Sequence, residues 1–167
     1  MNHTARIKHE TRNTKHETRN PEPRTRNTKH QTPNTEQKMS TWKSFEDIDC
    51  WQLARSFCQD IYKIMQYDGL KTDFALKDQI NRSSGSIMDN IAEGFERGGT
   101  KEFINFLSIA KGSAAESRSQ IHRIMDRNYI SKVEHKDLSD KTREIEGKIG
   151  GLISYLKNSG FRGTKFK

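Results

Sequence analysis

Proline is nearly absent from this 167-residue chain: there are three, all before residue 34. Cysteine is scarcer still, with Cys50 and Cys58 alone, which excludes a disulfide-built scaffold. Valine, which strands favour, occurs once, at Val133, and that weighs against strands. Long apolar runs are missing as well, so neither a membrane span nor the apolar stretch of a secretory signal is present. Hydrophobic residues make up 31% of the whole, low for a globular protein.

That average conceals two populations. Residues 1–38 hold three hydrophobic residues (Met1, Ala5 and Ile7), no aromatic, no glycine and every proline. Residues 39–167 hold the other 48, with all the aromatics and glycines. The formal charge of +8 divides into +5 for the first segment and +3 for the second. Two globular domains are therefore excluded, and the high pI belongs largely to the tail.

Residues 8–13 read KHETRN, residues 15–20 repeat them, and the period of seven continues with drift to Asn34. Thr, His, Arg and Asn occupy the positions a coiled coil would need apolar, so no seam forms and the segment is expected to be disordered. Three readings stand for it: a basic arm for nucleic acid, a targeting peptide, or an upstream repeat translated from too early a start. Met39, followed by Ser40-Thr41-Trp42, would make a natural start for the last.

From Phe45 the apolar pattern becomes helical. Cys50, Ala54, Phe57, Cys58, Ile61 and Met65 form one stripe in a segment running to Tyr67, which Asp68-Gly69 is expected to end. Thr72-Asp73 offers caps for a second helix carrying Leu76, Ile80, Ser84, Ile87, Ile91 and Phe95, broken at Arg97-Gly98-Gly99. Thr100 is expected to cap a third, with Phe103, Leu107, Ala110, Ala114, Ser117, Ile121 and Ile124 on one side. After a turn at Asn128–Lys132, a fourth presents Leu138, Ile145, Ile149, Leu152 and Leu156. Four amphipathic helices with short connections predict an all-α, antiparallel up-down-up-down four-helix bundle over residues 39–167. Small residues cluster within it: Ser83-Ser84-Gly85-Ser86, Gly112-Ser113-Ala114-Ala115 and Gly150-Gly151. Close helix crossing inside the bundle and backbone contact with a neighbouring subunit both account for them.

No catalytic constellation stands out, and the expectation is a non-enzymatic protein without cofactor. Gly94 to Lys101 only approaches a phosphate-binding loop: the order is Thr-Lys, and a helix precedes it where that motif needs a strand. His122 and His135 lack the Glu three residues earlier that helical di-iron sites use. Cys50 and Cys58 lie about 12 Å apart along one helix, too far for a disulfide, so buried, reduced thiols in a cytoplasmic protein are expected.

One stretch is more specific. Ser86-Ile87-Met88-Asp89-Asn90-Ile91-Ala92-Glu93-Gly94-Phe95-Glu96-Arg97 resembles the S-I-x-x-N-I-A-E-G-x-x-R signature of the bacterial four-helix-bundle family of 23S ribosomal RNA intervening-sequence proteins. Phe103 to Glu116 resembles that family's F-L-x-x-A-x-G-S-x-x-E element, Gln79-Ile80-Asn81-Arg82 its Q-I-x-R, and Phe45 to Trp51 its opening. Met88 stands where members often carry proline, and Lys111 where they often carry arginine. The family includes the accessory protein of diversity-generating retroelements, so the resemblance implies a homopentameric ring working with RNA or DNA and a partner such as a reverse transcriptase.

The motif residues Asn90, Glu93, Gly94, Gly112, Ser113 and Glu116 read first as architecture, with Lys111, Arg82 or Arg97 as partners for Glu93 were it buried. Two functions follow. One is a nucleic-acid-binding oligomer using Arg82, Arg97, Lys101, Lys111 and Arg118, with Arg162, Lys165 and Lys167 beside two terminal phenylalanines. The other is a protein-interaction scaffold without nucleic-acid affinity, which mid-helix glycines on exposed faces would favour.

Overall fold

The computed structural model describes residues 42–160. The repetitive segment 1–38, Met39 and the basic residues Arg162, Lys165 and Lys167 lie outside the described residues.

The chain enters through a 3-10 turn over Phe45–Asp47, where the Asp47 carboxylate accepts from the backbone N–H of Lys43 (2.8 Å) and Ser44 (3.3 Å). Ile48 then adopts an extended conformation (ψ 118°) and is almost wholly buried. Helix α1 (Asp49–Ile64) therefore begins four residues later than the Phe45 start expected, because burying the extended Ile48 separates it from the 3-10 turn. Its inner face is Cys50, Ala54, Phe57, Ile61 and Ile64; Cys58 and Met65 are only partly buried.

The link to the next long helix contains a five-residue helix α2 (Asp68–Thr72), anchored by the buried Leu70. Gly69, expected to end the first helix through a left-handed turn, instead sits inside α2. A Cβ there would run into the Tyr129 ring, so this glycine serves close approach. Asp73 caps α3 (Phe74–Glu96), accepting from Leu76 N–H at 3.3 Å and pairing with Arg127 from the far end of the following helix. Gly98 (φ 69°) makes the turn into α4 (Thr100–Asp126). The cap position there falls to Gly99, with Thr100 as the first helical residue, one place later than expected. Asn128 (φ 58°) turns the chain into α5 (Lys132–Asn158). Ser131 and Glu134 close a capping box at its start, and Tyr67 Oη donates to Glu134 at 2.7 Å, tying the loop before α2 to α5.

Among the described residues the fold is entirely helical. The four long helices close a cycle of neighbours: α1 with α3, α3 with α4, α4 with α5, and α5 with α1. Inside run Phe57, Ile61, Leu76, Ile80, Ile87, Ile91, Leu107, Ile121, Ile124, Ile145 and Ile149, all essentially inaccessible. Every residue of the stripes expected on α4 and α5 is buried, and on α3 all but Phe95. No helix of the described residues is long and apolar enough to cross a membrane.

Candidate functional site

The residues of the sequence signature converge where α3 crosses α4. Gly94 meets Phe106 there: a Cβ on Gly94 would stand 2.6 Å from Phe106 Cβ and 3.0 Å from Phe103 Cδ2. Farther along, the seam is polar. Asn90 Nδ2 donates to the Ser86 carbonyl (2.7 Å) and Oγ (3.0 Å), and the Ser86 and Ser113 hydroxyls are 2.9 Å apart. Ser117 donates to Ser83 (2.8 Å), Ser83 to Gln120 Oε1 (2.6 Å), and Gln120 Nε2 to the exposed Glu116 carboxylate (3.0 Å). Ser83, Ser113, Ser117 and Gln120 are buried, so these bonds satisfy groups that would otherwise be unfavourable in the interior. Ser86 and Ser113 thus join the two helices, and Asn90 holds Ser86 from within α3.

The charged members of the signature face outward. Glu93 is exposed, and Arg97 holds it with two donors, Nε at 3.1 Å and Nη2 at 2.5 Å. The Arg97 guanidinium also lies 4.8 Å from the Phe106 ring centroid, over the place where Gly94 admits that side chain. Arg82 pairs with Asp78 one turn back. Arg118 donates to Glu146 of α5 at 2.7 Å, and both side chains are partly buried at the α4–α5 junction. Lys111 also reaches toward α5, its Nζ 3.8 Å from the position a Gly150 Cβ would take. Lys101 is exposed in the first turn of α4.

These five basic residues do not share one surface. Arg97 and Lys101 flank the α3–α4 turn, whereas Arg82 lies about 22 Å back along α3. Lys111 and Arg118 belong with α5. Three of the five are already ion-paired. Residues 42–160 carry 18 basic and 18 acidic side chains, so the described bundle is formally neutral.

The outer faces of α4 and α5 also carry exposed backbone. A Cβ at Gly112, Gly147 or Gly151 would meet nothing within 4 Å. Gly112 stands one turn from Ile109, which is 52% exposed, and beside the exposed Ala115. On the opposite side, Arg55, Cys58, Gln59, Tyr62, Lys63 and Met88 line a shallow groove between α1 and α3. Cys58 donates its thiol proton to the Ser84 carbonyl at 3.2 Å. Burial pushes this thiol up to about 11 and that of Cys50 up to about 12, so neither is an activated nucleophile.

Three junctions escape the sequence pattern because they join residues far apart in the chain. Lys141 of α5 bridges Asp60 and Ser56 of α1. Partial burial pushes the Asp60 carboxyl up, but hydrogen bonds and charge from Lys141 and Lys63 outweigh it and hold the group below the usual carboxylate range. Arg127 pairs with Asp73 across the loop end of the bundle. His122 of α4 and His135 of α5 meet ring to ring.

Residues 46–151, more than half of the chain, match the family of 23S rRNA-intervening sequence proteins. A crystal structure from Bacteroides thetaiotaomicron VPI-5482, described as a protein of unknown function from the S23 ribosomal protein family, superposes with a TM-score of 0.57 at 25% identity. The match covers 62% of this chain and 97% of that one. No curated protein matches. The chain belongs to the 23S rRNA-intervening sequence protein family.

Proposed function

We propose that this protein is a non-enzymatic docking scaffold: a helical bundle that assembles with copies of itself, five by resemblance, and presents the assembly to a protein partner. The observation that carries this reading is the exposed backbone at Gly112, Gly147 and Gly151. Each interior glycine costs about 1 kcal/mol of helix stability relative to alanine, and nothing in the single chain offsets it. Close backbone approach by another molecule does offset it, and the exposed Ile109 beside Gly112 adds apolar area to the same face. The neutral bundle and its ion-paired arginines favour this reading over phosphate binding by the helices. A partner such as a reverse transcriptase fits by resemblance. The scarce, unactivated thiols fit a reducing cytoplasm.

Sedimentation velocity on the parent chain, Ile109→Lys and Gly112→Gln tests it. The expected result is a parent heavier than one chain and lighter, still helical variants. A monomeric parent refutes the assembly.

One observation favours a second reading, in which RNA or DNA is held by the chain ends. The charge excess of residues 39–167 lies wholly in Arg162, Lys165 and Lys167, and residues 1–38 add +5. Titration with structured RNA and duplex DNA at several salt concentrations separates the two. Terminal binding predicts affinity falling steeply with salt, with a shallower slope in Arg162→Ala/Lys165→Ala/Lys167→Ala. No binding at low salt by the assembled protein removes this reading.

A further inference from the structure

His122 Nδ1 and His135 Nε2 face each other at 3.0 Å across the α4–α5 hairpin, with ring centroids 4.6 Å apart and planes inclined by 59°. Two rings laid end to end on such a contact would have centroids farther apart, so these are bent toward one another. His122 is exposed and His135 partly so, which leaves the pair open to water. They come from different helices, about one turn from the Arg127–Ser131 connection, and the capping box at Ser131 fixes the start of α5. The cations beside them in sequence are engaged elsewhere: Arg123 with Gln79 of α3, and Lys136 with Asp140. Asp126 lies one turn beyond His122 on the same face of α4, and Lys132 one turn before His135 on α5.

We propose that His122 and His135 form a two-imidazole clamp for a divalent transition-metal ion, Cu2+ or Ni2+, that staples α4 to α5. An ion about 2.1 Å from both nitrogens, given their 3.0 Å separation, subtends an angle of about 90°. That is the cis angle of square-planar and octahedral coordination, which Cu2+ and Ni2+ favour; tetrahedral Zn2+ prefers donors farther apart. Among the described residues no group of three or more metal-binding side chains converges, so water completes the coordination shell. The protons balance. In the metal-free neutral pair one facing nitrogen donates its proton to the other, and each ring carries one N–H. Coordination requires both facing nitrogens free, with the protons on His122 Nε2 and His135 Nδ1, so the donor ring changes tautomer and no net proton is lost.

The test uses the full chain stripped of metal. His3, His9, His16 and His30 are further donors, so total metal uptake is uninformative and thermal unfolding is followed instead. An ion that bridges two helices of the native state raises Tm with its concentration. The expected result is a concentration-dependent rise with CuCl2 and NiCl2, smaller with ZnCl2, unchanged when the four tail histidines are replaced by Ala, and lost in His122→Ala and in His135→Ala. An equal rise in those two variants, or none in the parent, overturns the clamp. Should either variant alter the fold, the parent decides alone. Paramagnetic broadening by substoichiometric Cu2+, measured in the chain lacking the tail histidines, must centre on the backbone amides around His122 and His135. Broadening that spares them overturns the proposal equally.

Discussion

Replacing Gly94 with alanine sets two effects of opposite sign against each other, and the structure decides between them. Alanine is the better helix former by about 1 kcal/mol. At this position, however, the new methyl would lie 2.6 Å from Phe106 Cβ and 3.2 Å from Phe106 Cγ. A Cβ moves only with its backbone, so rotating the Phe106 ring gives no relief and α3 and α4 must separate locally. Forcing a methyl into such a contact costs about 3 kcal/mol, the upper part of the range for overpacked sites. The neighbourhood is coupled: Phe95 and Phe103 meet edge to face at 6.0 Å, and Arg97 covers Phe106 while holding Glu93.

The net expectation for Gly94→Ala is a loss of about 2 kcal/mol, or a Tm lower by roughly 6–10 °C for a bundle of this size. Thermal and urea unfolding followed by circular dichroism at one fixed protein concentration measures it. Gly112→Ala is the internal comparison. No atom lies within 4 Å of its added methyl, so the single chain gains up to about 1 kcal/mol. A Gly94→Ala protein that melts at or above the parent refutes the close-crossing argument.

Asp73→Ala removes both the α3 cap and the partner of Arg127, and urea unfolding should show a loss of about 1–2 kcal/mol. Acid should destabilise the protein through carboxyls held low in the fold: Asp60 by Lys141 and Lys63 against its own burial, and Glu134 by the Ser131 backbone N–H and hydroxyl and by Tyr67. A depressed folded pKa gives stability that is complete above the unfolded value and lost as pH falls through the folded one. The midpoint in urea is therefore expected to be level from pH 7 to about 5 and to fall below about 4, with less of a fall in Asp60→Asn. With thiol pKa values of about 11 and 12, Cys58 and Cys50 should alkylate at pH 8 at least about 100-fold more slowly than in urea-unfolded protein. Fast labelling of the folded chain contradicts the raised thiol pKa values.

What the sequence revealed about the fold was what repeats locally. The stripe from Phe103 to Ile124 is buried throughout because helical periodicity is a property of neighbouring residues. The misplaced boundaries were tertiary matters. Ile48 leaves the helix to enter the core, and Gly69 is needed by Tyr129, sixty residues away. The site followed the same division. Glu93–Arg97 is an i, i+4 pair and visible in the sequence, whereas Arg118–Glu146, Lys141–Asp60 and His122–His135 connect different helices and leave no local trace.

The glycines argue most directly for a life beyond the single chain. Gly94 and Gly112 belong to neighbouring elements of one sequence signature and occupy helices of one crossing, yet only Gly94 has a neighbour that forbids a side chain. Glycine at 94 is explained by Phe106. Glycine at 112, 147 and 151 has no explanation inside the bundle, where alanine would be the more stable choice at each. The polar ladder from Ser83 to Gln120 already fixes the register of α3 on α4, so the exposed glycine of α4 is not required to set that crossing. On the proposed reading its contribution is made against a surface from another molecule. If that inference is right, Gly112→Ala should raise the stability of isolated chains while weakening their association, two opposite signs from one methyl group.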